Sequence, residues 1–286
     1  SVSLLRKMRR RYGQVPRPFV GLHHVKEFEM KLRALVVGMG LLCSFSSFAA
    51  TELRYGLEAE YPPFESRNAS GELEGFDVEL GNAICKAAAL KCSWVETSFD
   101  ALIPGLVAKK FDAINSAMNI TEQRRKSIDF TQPIYRIPSQ LVGKAGSAVE
   151  ATPEGLKGKT IGVLQGSIQE TYAKEHWEKH GVTVVSYKDQ NMAWGDLLNG
   201  RIDASLVMSA AGQAGFLSKP QGKGFGFIGK PVSDDTILGS GIGFGLRKGD
   251  EATKKQLDAA IDKVRADGTI AKLADKYFPG IDVSVK

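Results

Sequence analysis

His176 and His180 stand four residues apart on an expected helix, a spacing that can place two imidazoles on one metal ion. No third ligand accompanies them, so they read as a solvated helix face and no metal is expected. Gly224-Phe225-Gly226-Phe227-Ile228-Gly229 has the letters of a dinucleotide-binding loop. No strand is expected to lead into it and no βαβ unit follows, so the segment reads as a loop. The chain has no serine nucleophile elbow and no Walker loop. Beyond residue 49 the cysteines are Cys85 and Cys92. Two thiols alone make a poor zinc site, and in an exported chain an even count at close range favours a disulfide. Such a bridge would staple the end of a helix to the following strand, which is structure and not chemistry. Glu58 is the one evident candidate for a general acid. No catalytic constellation emerges, and no cofactor is expected.

The elements that must position these residues alternate along the chain. Strands are expected at Leu53–Leu57, Ser93–Glu96 and Phe111–Asn115, with helices from Asp77 to Ala88 and Asp100 to Lys109 between them. A further helix opens at Thr121, whose hydroxyl can cap Thr121-Glu122-Gln123-Arg124. A second set follows: strands Thr160–Leu164, Val182–Tyr187 and Asp203–Val207, with helices Ser167–His180, Met192–Asn199 and Ala210–Leu217. Strand Gly241–Leu246 leads into Glu251–Lys276, two amphipathic helices broken at Gly268. This is an α/β pattern with parallel sheets, written twice. Ser139–Val142 and Ile237–Phe244 are the expected crossover strands, which divides the chain into a first lobe (50–138), a second lobe (139–236) and a return to the first (237–286). Open α/β sheets bind ligands outside the carboxyl ends of their strands. Those ends hold Glu58 and Tyr61, Phe99, Asn115 to Asn119, Leu164 to Gln169, and Met208.

Charge sharpens the picture. The 286 residues carry a formal charge of +6, which taken whole suggests a nucleic-acid partner. Residues 1–49 hold nine basic and two acidic groups, however, so the remaining 237 carry 29 basic and 30 acidic ones. No basic stripe is left there, and no nucleic-acid partner is expected. Met30-Lys31-Leu32-Arg33 followed by the apolar run to Phe48 reads as a signal peptide over 30–49, with cleavage after Ala49. The run of about 15 residues is short of the roughly 20 that a membrane span needs. Residues 1–29 read as an over-extended start, and Leu41-Leu42 before Cys43 argues against a lipid anchor.

Seven motifs run in order over residues 52–278: Tyr61-Pro62-Pro63-Phe64, Gly75-Phe76-Asp77-Val78-Glu79-Leu80, Phe99 to Leu106, Asn119 to Arg124, Gly162 to Ser167, Gly200-Arg201-Ile202-Asp203-Ala204 and Gly243 to Lys248. With them the chain resembles the periplasmic solute-binding proteins of polar amino acid ABC importers, above all the lysine/arginine/ornithine and histidine binders; the spacing of Cys85 and Cys92 also matches that branch. The resemblance implies a two-lobed fold (type II), each lobe a mixed sheet flanked by helices, hinged to close on one solute. It implies a monomer in the periplasm of a Gram-negative bacterium that serves an inner-membrane permease and ATPase and is not an enzyme. An enzyme on the same fold, dehydratase-like, and a ligand-sensing domain are the alternatives.

The resemblance also distributes roles. Arg124 would take a ligand α-carboxylate as a bidentate pair, with Ser167 approaching from the other lobe. Tyr61 and Phe99 would sandwich the side chain, and Glu58 would meet its distal cation. Gln169, Leu164, Ser116 and the Ala117 backbone complete the expected pocket. Met208 stands where the resembling proteins carry an aspartate for the α-ammonium, and Ala117 and Asn119 stand where hydroxyl residues are common. Burying an unpaired ammonium would cost several kcal/mol. The expected solute therefore lacks a free primary α-ammonium, as an N-substituted opine does. The competing expectation is an ordinary amino acid handled by Asn119, Ser116 and a water.

Overall fold

The computed structural model describes residues 51–285. The expected leader at 30–49, its cleavage point and residues 1–29 lie outside the described residues.

Twelve strands are described: β1 (Glu52–Leu57), β2 (Ser66–Arg67), β3 (Leu73–Glu74), β4 (Lys91–Glu96), β5 (Ala113–Ile114), β6 (Ile128–Phe130), β7 (Ser139–Lys144), β8 (Thr160–Leu164), β9 (Thr183–Tyr187), β10 (Ala204–Met208), β11 (Phe225–Val232) and β12 (Gly245–Arg247). They form two five-stranded sheets, ordered β4-β1-β5-β12-β6 and β11-β7-β10-β8-β9, and the small hairpin β2-β3. In the first sheet β12 alone opposes its neighbours, β5 and β6, while β1 runs parallel to β4 and β5. In the second, β7 alone opposes its neighbours β10 and β11, while β8 runs parallel to β9 and β10. Both odd strands are those first entered when the chain passes from one sheet to the other. A strand reached through a helical crossover lies parallel to its predecessor, whereas one entered from outside the sheet is free to run the other way.

Local sequence explains the elements that carry the core. β1 buries Leu53, Tyr55 and Leu57, while the outward Arg54 pairs with Asp112 at 3.0 Å. A Cβ at Gly56 would lie 2.5 Å from the Phe111 ring, so the close strand-to-aromatic packing there needs glycine. Helix Phe76–Ala87 buries Phe76, Leu80 and Ile84 at a spacing of four. Its start joins an aromatic nest: Phe76 lies 4.6 Å from Phe278 and 4.8 Å from Tyr135, centroid to centroid. Around the second sheet, fully buried Trp177 packs with Leu141, Ile161, Val163 and Leu206. Helices Glu251–Ala266 and Thr269–Tyr277 separate at Gly268, whose φ is 81°, as the sequence predicts.

Three segments differ from expectation. Gly224 to Gly229 is not a loop: Phe225 begins β11, which pairs antiparallel with β7 and sets Gly226 opposite Gly143. No strand was expected there from the local sequence, and long-range pairing with β7 makes one. Ile237–Phe244 is not a crossover strand; Asp235–Leu238 is a helical turn, Ile242 makes only isolated bridges to Asn119 and Tyr135, and the strand begins at Gly245. Helix Ala210–Leu217 instead is α-helical over Ser209–Gly212 and continues as a π-turn over Gln213–Leu217.

Cys85, on helix Phe76–Ala87, is disulfide-bonded to Cys92 on β4, with their Cα atoms 6.2 Å apart. Reduction should lower stability by about 2 to 3 kcal/mol on the loop-entropy model. Thermal melts with and without reductant measure this. A Cys85→Ala/Cys92→Ala double variant whose melt matches the oxidised protein would contradict it.

Candidate functional site

Thr121 and Ser167 set up the cationic end of the site. The Thr121 hydroxyl accepts the Arg124 N–H at 3.2 Å and so caps helix Glu122–Arg125. From that turn Arg124 reaches out: Nη1 donates to the Asn119 carbonyl at 2.8 Å and Nη2 to the Gly166 carbonyl at 3.1 Å. The guanidinium lies over the Phe99 ring, 5.5 Å from its centroid. Desolvation lowers its pKa to about 10. It has no acidic partner among the described residues. Ser167, 4% exposed, caps helix Ile168–His176 by accepting the Glu170 N–H at 3.0 Å, so that helix's positive end also faces this side.

The acidic end is Glu58, just past β1 and 4% exposed. Both carboxylate oxygens are buried without a hydrogen-bond partner. Burial, followed by the charges of Asp189, Glu60 and Asp100, pushes its pKa up to about 8. Its backbone N–H donates to the Ser116 hydroxyl at 3.0 Å, and that hydroxyl donates to Glu65 at 2.6 Å. Glu65 is buried beside Asp77, and burial plus that neighbour push it well above the carboxylate range. Asp77 in turn accepts the Tyr135 hydroxyl at 2.8 Å and the Ala117 N–H at 2.6 Å. Ala117 has φ 45°, a left-handed backbone unusual for alanine, and the Asp77 bond holds it there.

Between the two ends Tyr61, Phe99, Ala117, Asn119, Arg124, Leu164, Ser167, Gln169 and Met208 line one small cavity of about 10 Å³, room for a single water. Ile168 lines it as well. Two expected residues lie apart. The Ser116 hydroxyl is committed to Glu65 and Glu58, and Glu58 borders a neighbouring groove of about 570 Å³ with Glu60, Pro62, Arg67 and Asp189. Met208 closes the end of β10 at 4% exposure, and its N–H donates to the Tyr61 hydroxyl at 3.4 Å. Arg124 is the single charged side chain lining the cavity, and no acid does.

Elements of the two sheets meet across this cavity. Besides the Tyr61–Met208 and Arg124–Gly166 bonds, Gln165 Nε2 donates to Asp100 at 3.0 Å and Asn191 Nδ2 to Glu60 at 3.1 Å. Gln169 is oriented by its bond to Ser139 on β7 at 2.8 Å. Sequence reading missed Asp77, Glu65 and Tyr135, which support the Ala117 backbone from beneath, and Ile168. Adjacency to Ser167 was a usable signal for Ile168; the acidic pair gave none, because its partners are 40 and 58 positions away from Asp77. His176, considered for metal, bonds Asp234 at 2.8 Å, and no metal-ligating cluster exists among the described residues.

Residues 53–280 match the bacterial extracellular solute-binding proteins, family 3. The chain belongs to this family. It is 45% identical over 247 residues to the lysine/arginine/ornithine-binding periplasmic protein of Escherichia coli K12, covering 86% of this chain and 95% of that one. Against the histidine-binding periplasmic protein of the same strain it is 46% identical over 253 residues, 86% and 97% covered. Among solved structures, a Salmonella typhimurium periplasmic binding protein of high arginine specificity superposes with TM-score 0.74 at 32% identity, over 80% of this family member and all of that chain. No helix among the described residues is long and apolar enough to cross a membrane.

Proposed function

We propose that this family member is the extracytoplasmic solute-binding component of an ABC importer, taking a polar or cationic amino acid or a derivative of one. One observation carries the reading: the desolvated Arg124 guanidinium, without an ion partner, lines the cavity with Tyr61 and Phe99, and the Glu58 carboxyl, buried without a hydrogen-bond partner, borders the neighbouring groove. Burying a guanidinium without a counter-charge, and a carboxyl that keeps its proton for want of a partner, is expensive in a folded protein. A solute that brings a carboxylate to Arg124 and a cation to Glu58 removes both costs at once. The relatives named for lysine, arginine, ornithine and histidine support that class of solute.

The scheme is a clamp. Residues 50–138 with 237–286 form one lobe and residues 139–236 the other, and the bonds between the sheets form as the lobes close on the solute. The protein works as a monomer in the periplasm after removal of residues 30–49 and hands its solute to an inner-membrane permease and its ATPase. It does no chemistry: the one acid at the site, Glu58, is placed for a cation. Calorimetric titration with arginine, lysine, ornithine and histidine, with mass analysis of the recovered solutes, tests this. Saturable binding of at least one of them or of an α-nitrogen-substituted form, returned intact, is the expected result; chemical conversion would favour the enzyme reading.

Met208 bears on the α-nitrogen. A primary ammonium beside it meets a thioether in place of a charge. Met208→Asp should therefore strengthen binding of ordinary basic amino acids about tenfold or more, read by the same titration. Unchanged or weaker binding in a folded variant would show that the α-nitrogen is satisfied elsewhere.

A further inference from the structure

Two buried carboxyl groups lie beneath the Ser116–Ala117 wall of the site, and no cation accompanies them. Glu65 and Asp77 are each 1% exposed, and neither forms an ion pair among the described residues. The Asp77 N–H donates to the Phe64 carbonyl at 2.9 Å, which sets the start of helix Phe76–Ala87 against the turn that carries Glu65. The titratable groups facing Glu65 are Asp77 on that helix, Glu58 past β1, Tyr61 in the turn and Tyr135 beyond β6. All are acids or phenols.

Hydrogen-bond donors divide unequally between the two acids. Asp77 receives one at each oxygen, the Ala117 N–H at Oδ2 (2.6 Å) and the Tyr135 hydroxyl at Oδ1 (2.8 Å). A backbone N–H can only donate, so Oδ2 must accept. Glu65 Oε1 accepts the Ser116 hydroxyl at 2.6 Å, and the Ser116 oxygen itself is taken by the Glu58 N–H at 3.0 Å. Glu65 Oε2 is buried and no donor reaches it. Two neighbouring carboxylates without a cation would repel each other in a desolvated space, so the pair keeps a proton. The oxygen that lacks a donor is the one free to carry it. Burial raises both acids, and the donors from Tyr135 and Ala117 restrain Asp77, which rises only to about 6.

We propose that Glu65 is a neutral acid near neutral pH, holds its proton at Oε2 on the side of Asp77, and is a positioning residue for the solute site. It leaves Asp77 as the ionised acceptor of the Ala117 N–H. Ser116 then ties the proton-sharing pair to the Glu58 backbone, and Ala117, at φ 45°, ties it to the cavity wall. The effect on affinity rests on the solute-binding reading above; the proton does not.

Isosteric amides locate the proton. Glutamine at position 65 keeps an acceptor for Ser116 and a donor toward Asp77, whereas asparagine at position 77 turns one accepting oxygen into an NH2 group. Calorimetry with arginine, lysine, ornithine and histidine should find that Glu65→Gln retains most of the wild-type affinity, while Asp77→Asn loses roughly tenfold or more and melts lower. Infrared difference spectra, wild type minus Glu65→Gln near neutral pH, should contain the carbonyl band of one protonated carboxylic acid; the acid at Glu58 is common to both and cancels. A carboxylate band in its place, or an affinity loss in Glu65→Gln equal to or larger than that in Asp77→Asn, overturns the assignment. If Asp77→Asn does not fold, the infrared difference decides alone. If none of the four solutes binds the wild type, the solute-binding reading falls, and the infrared difference still tests the proton on Glu65.

Discussion

Replacing Arg124 by methionine is expected to weaken solute binding by roughly 10² to 10³-fold while leaving the ligand-free fold intact. The magnitude follows from what is lost. A guanidinium offers a carboxylate two parallel charge-assisted bonds, and removing one partner of a desolvated pair costs about 3 to 5 kcal/mol, with about 1.4 kcal/mol for each tenfold change. The ligand-free protein loses much less. Among the described residues Arg124 has hydrogen bonds to two backbone carbonyls, Asn119 and Gly166, and a contact with the Phe99 ring, and its desolvated charge is a standing cost that methionine removes. The melting temperature without solute should therefore move little, and the rise produced by saturating solute in the wild type should vanish. Arg124→Lys keeps the charge and loses the fork, so it should recover only part of the affinity. A methionine variant that binds within threefold of wild type would remove Arg124 from the site.

The elements that hold Arg124 were legible because their signals are local. Thr121 caps through a hydroxyl three residues from the N–H it accepts, and Ser167 does the same for the next helix. The periodicity of Phe76–Ala87 and the break at Gly268 are likewise contained in short windows. Eight of the named residues that line one cavity stand at the strand ends, and Arg124 joins them from the resemblance. What escaped depends on distant parts of the chain. β11 is a strand because β7 lies beside it, not because Gly224 to Gly229 favours one. The reversal of β7 and β12 follows from the path between sheets, which no window contains. Ser116 was named for the pocket by its strand-end position and the resemblance, yet Glu65, 51 positions away, takes its hydroxyl. Ala117 lines the cavity, and the Asp77 bond that accompanies its left-handed conformation spans 40 positions.

Glu58→Gln should separate the stability of the empty protein from its function, in a direction set by the sign of the pKa shift. Glu58 ordinarily titrates near 4.5 and in the folded protein is pushed up to about 8. Between those values the folded state keeps a proton that the unfolded state has released, so the Glu58 contribution to stability falls as pH rises through this window and levels off above about 8. At about 1.4 kcal/mol per unit the accumulated cost by pH 8 is on the order of 4 to 5 kcal/mol. Glutamine has nothing to ionise. The variant should match wild type at pH 4 and melt roughly 10 to 20 °C higher at pH 8, taking about 2 to 4 °C per kcal/mol for a chain of this size. Binding reverses the ranking. A cationic solute needs the ionised carboxylate, so wild-type affinity should climb from pH 5 to 8 as Glu58 gives up its proton. The glutamine variant should bind about 10²-fold more weakly at pH 8 and show no such climb. The groups facing Glu58 sharpen the contrast: Asp189, Glu60 and Asp100 all raise its proton affinity, and Lys188, Lys219 and Arg67 border the same groove without pairing it. A variant less stable than wild type at pH 8 would mean that Glu58 is satisfied by a partner inside the fold, and its role as the cation's counter-charge would then fall.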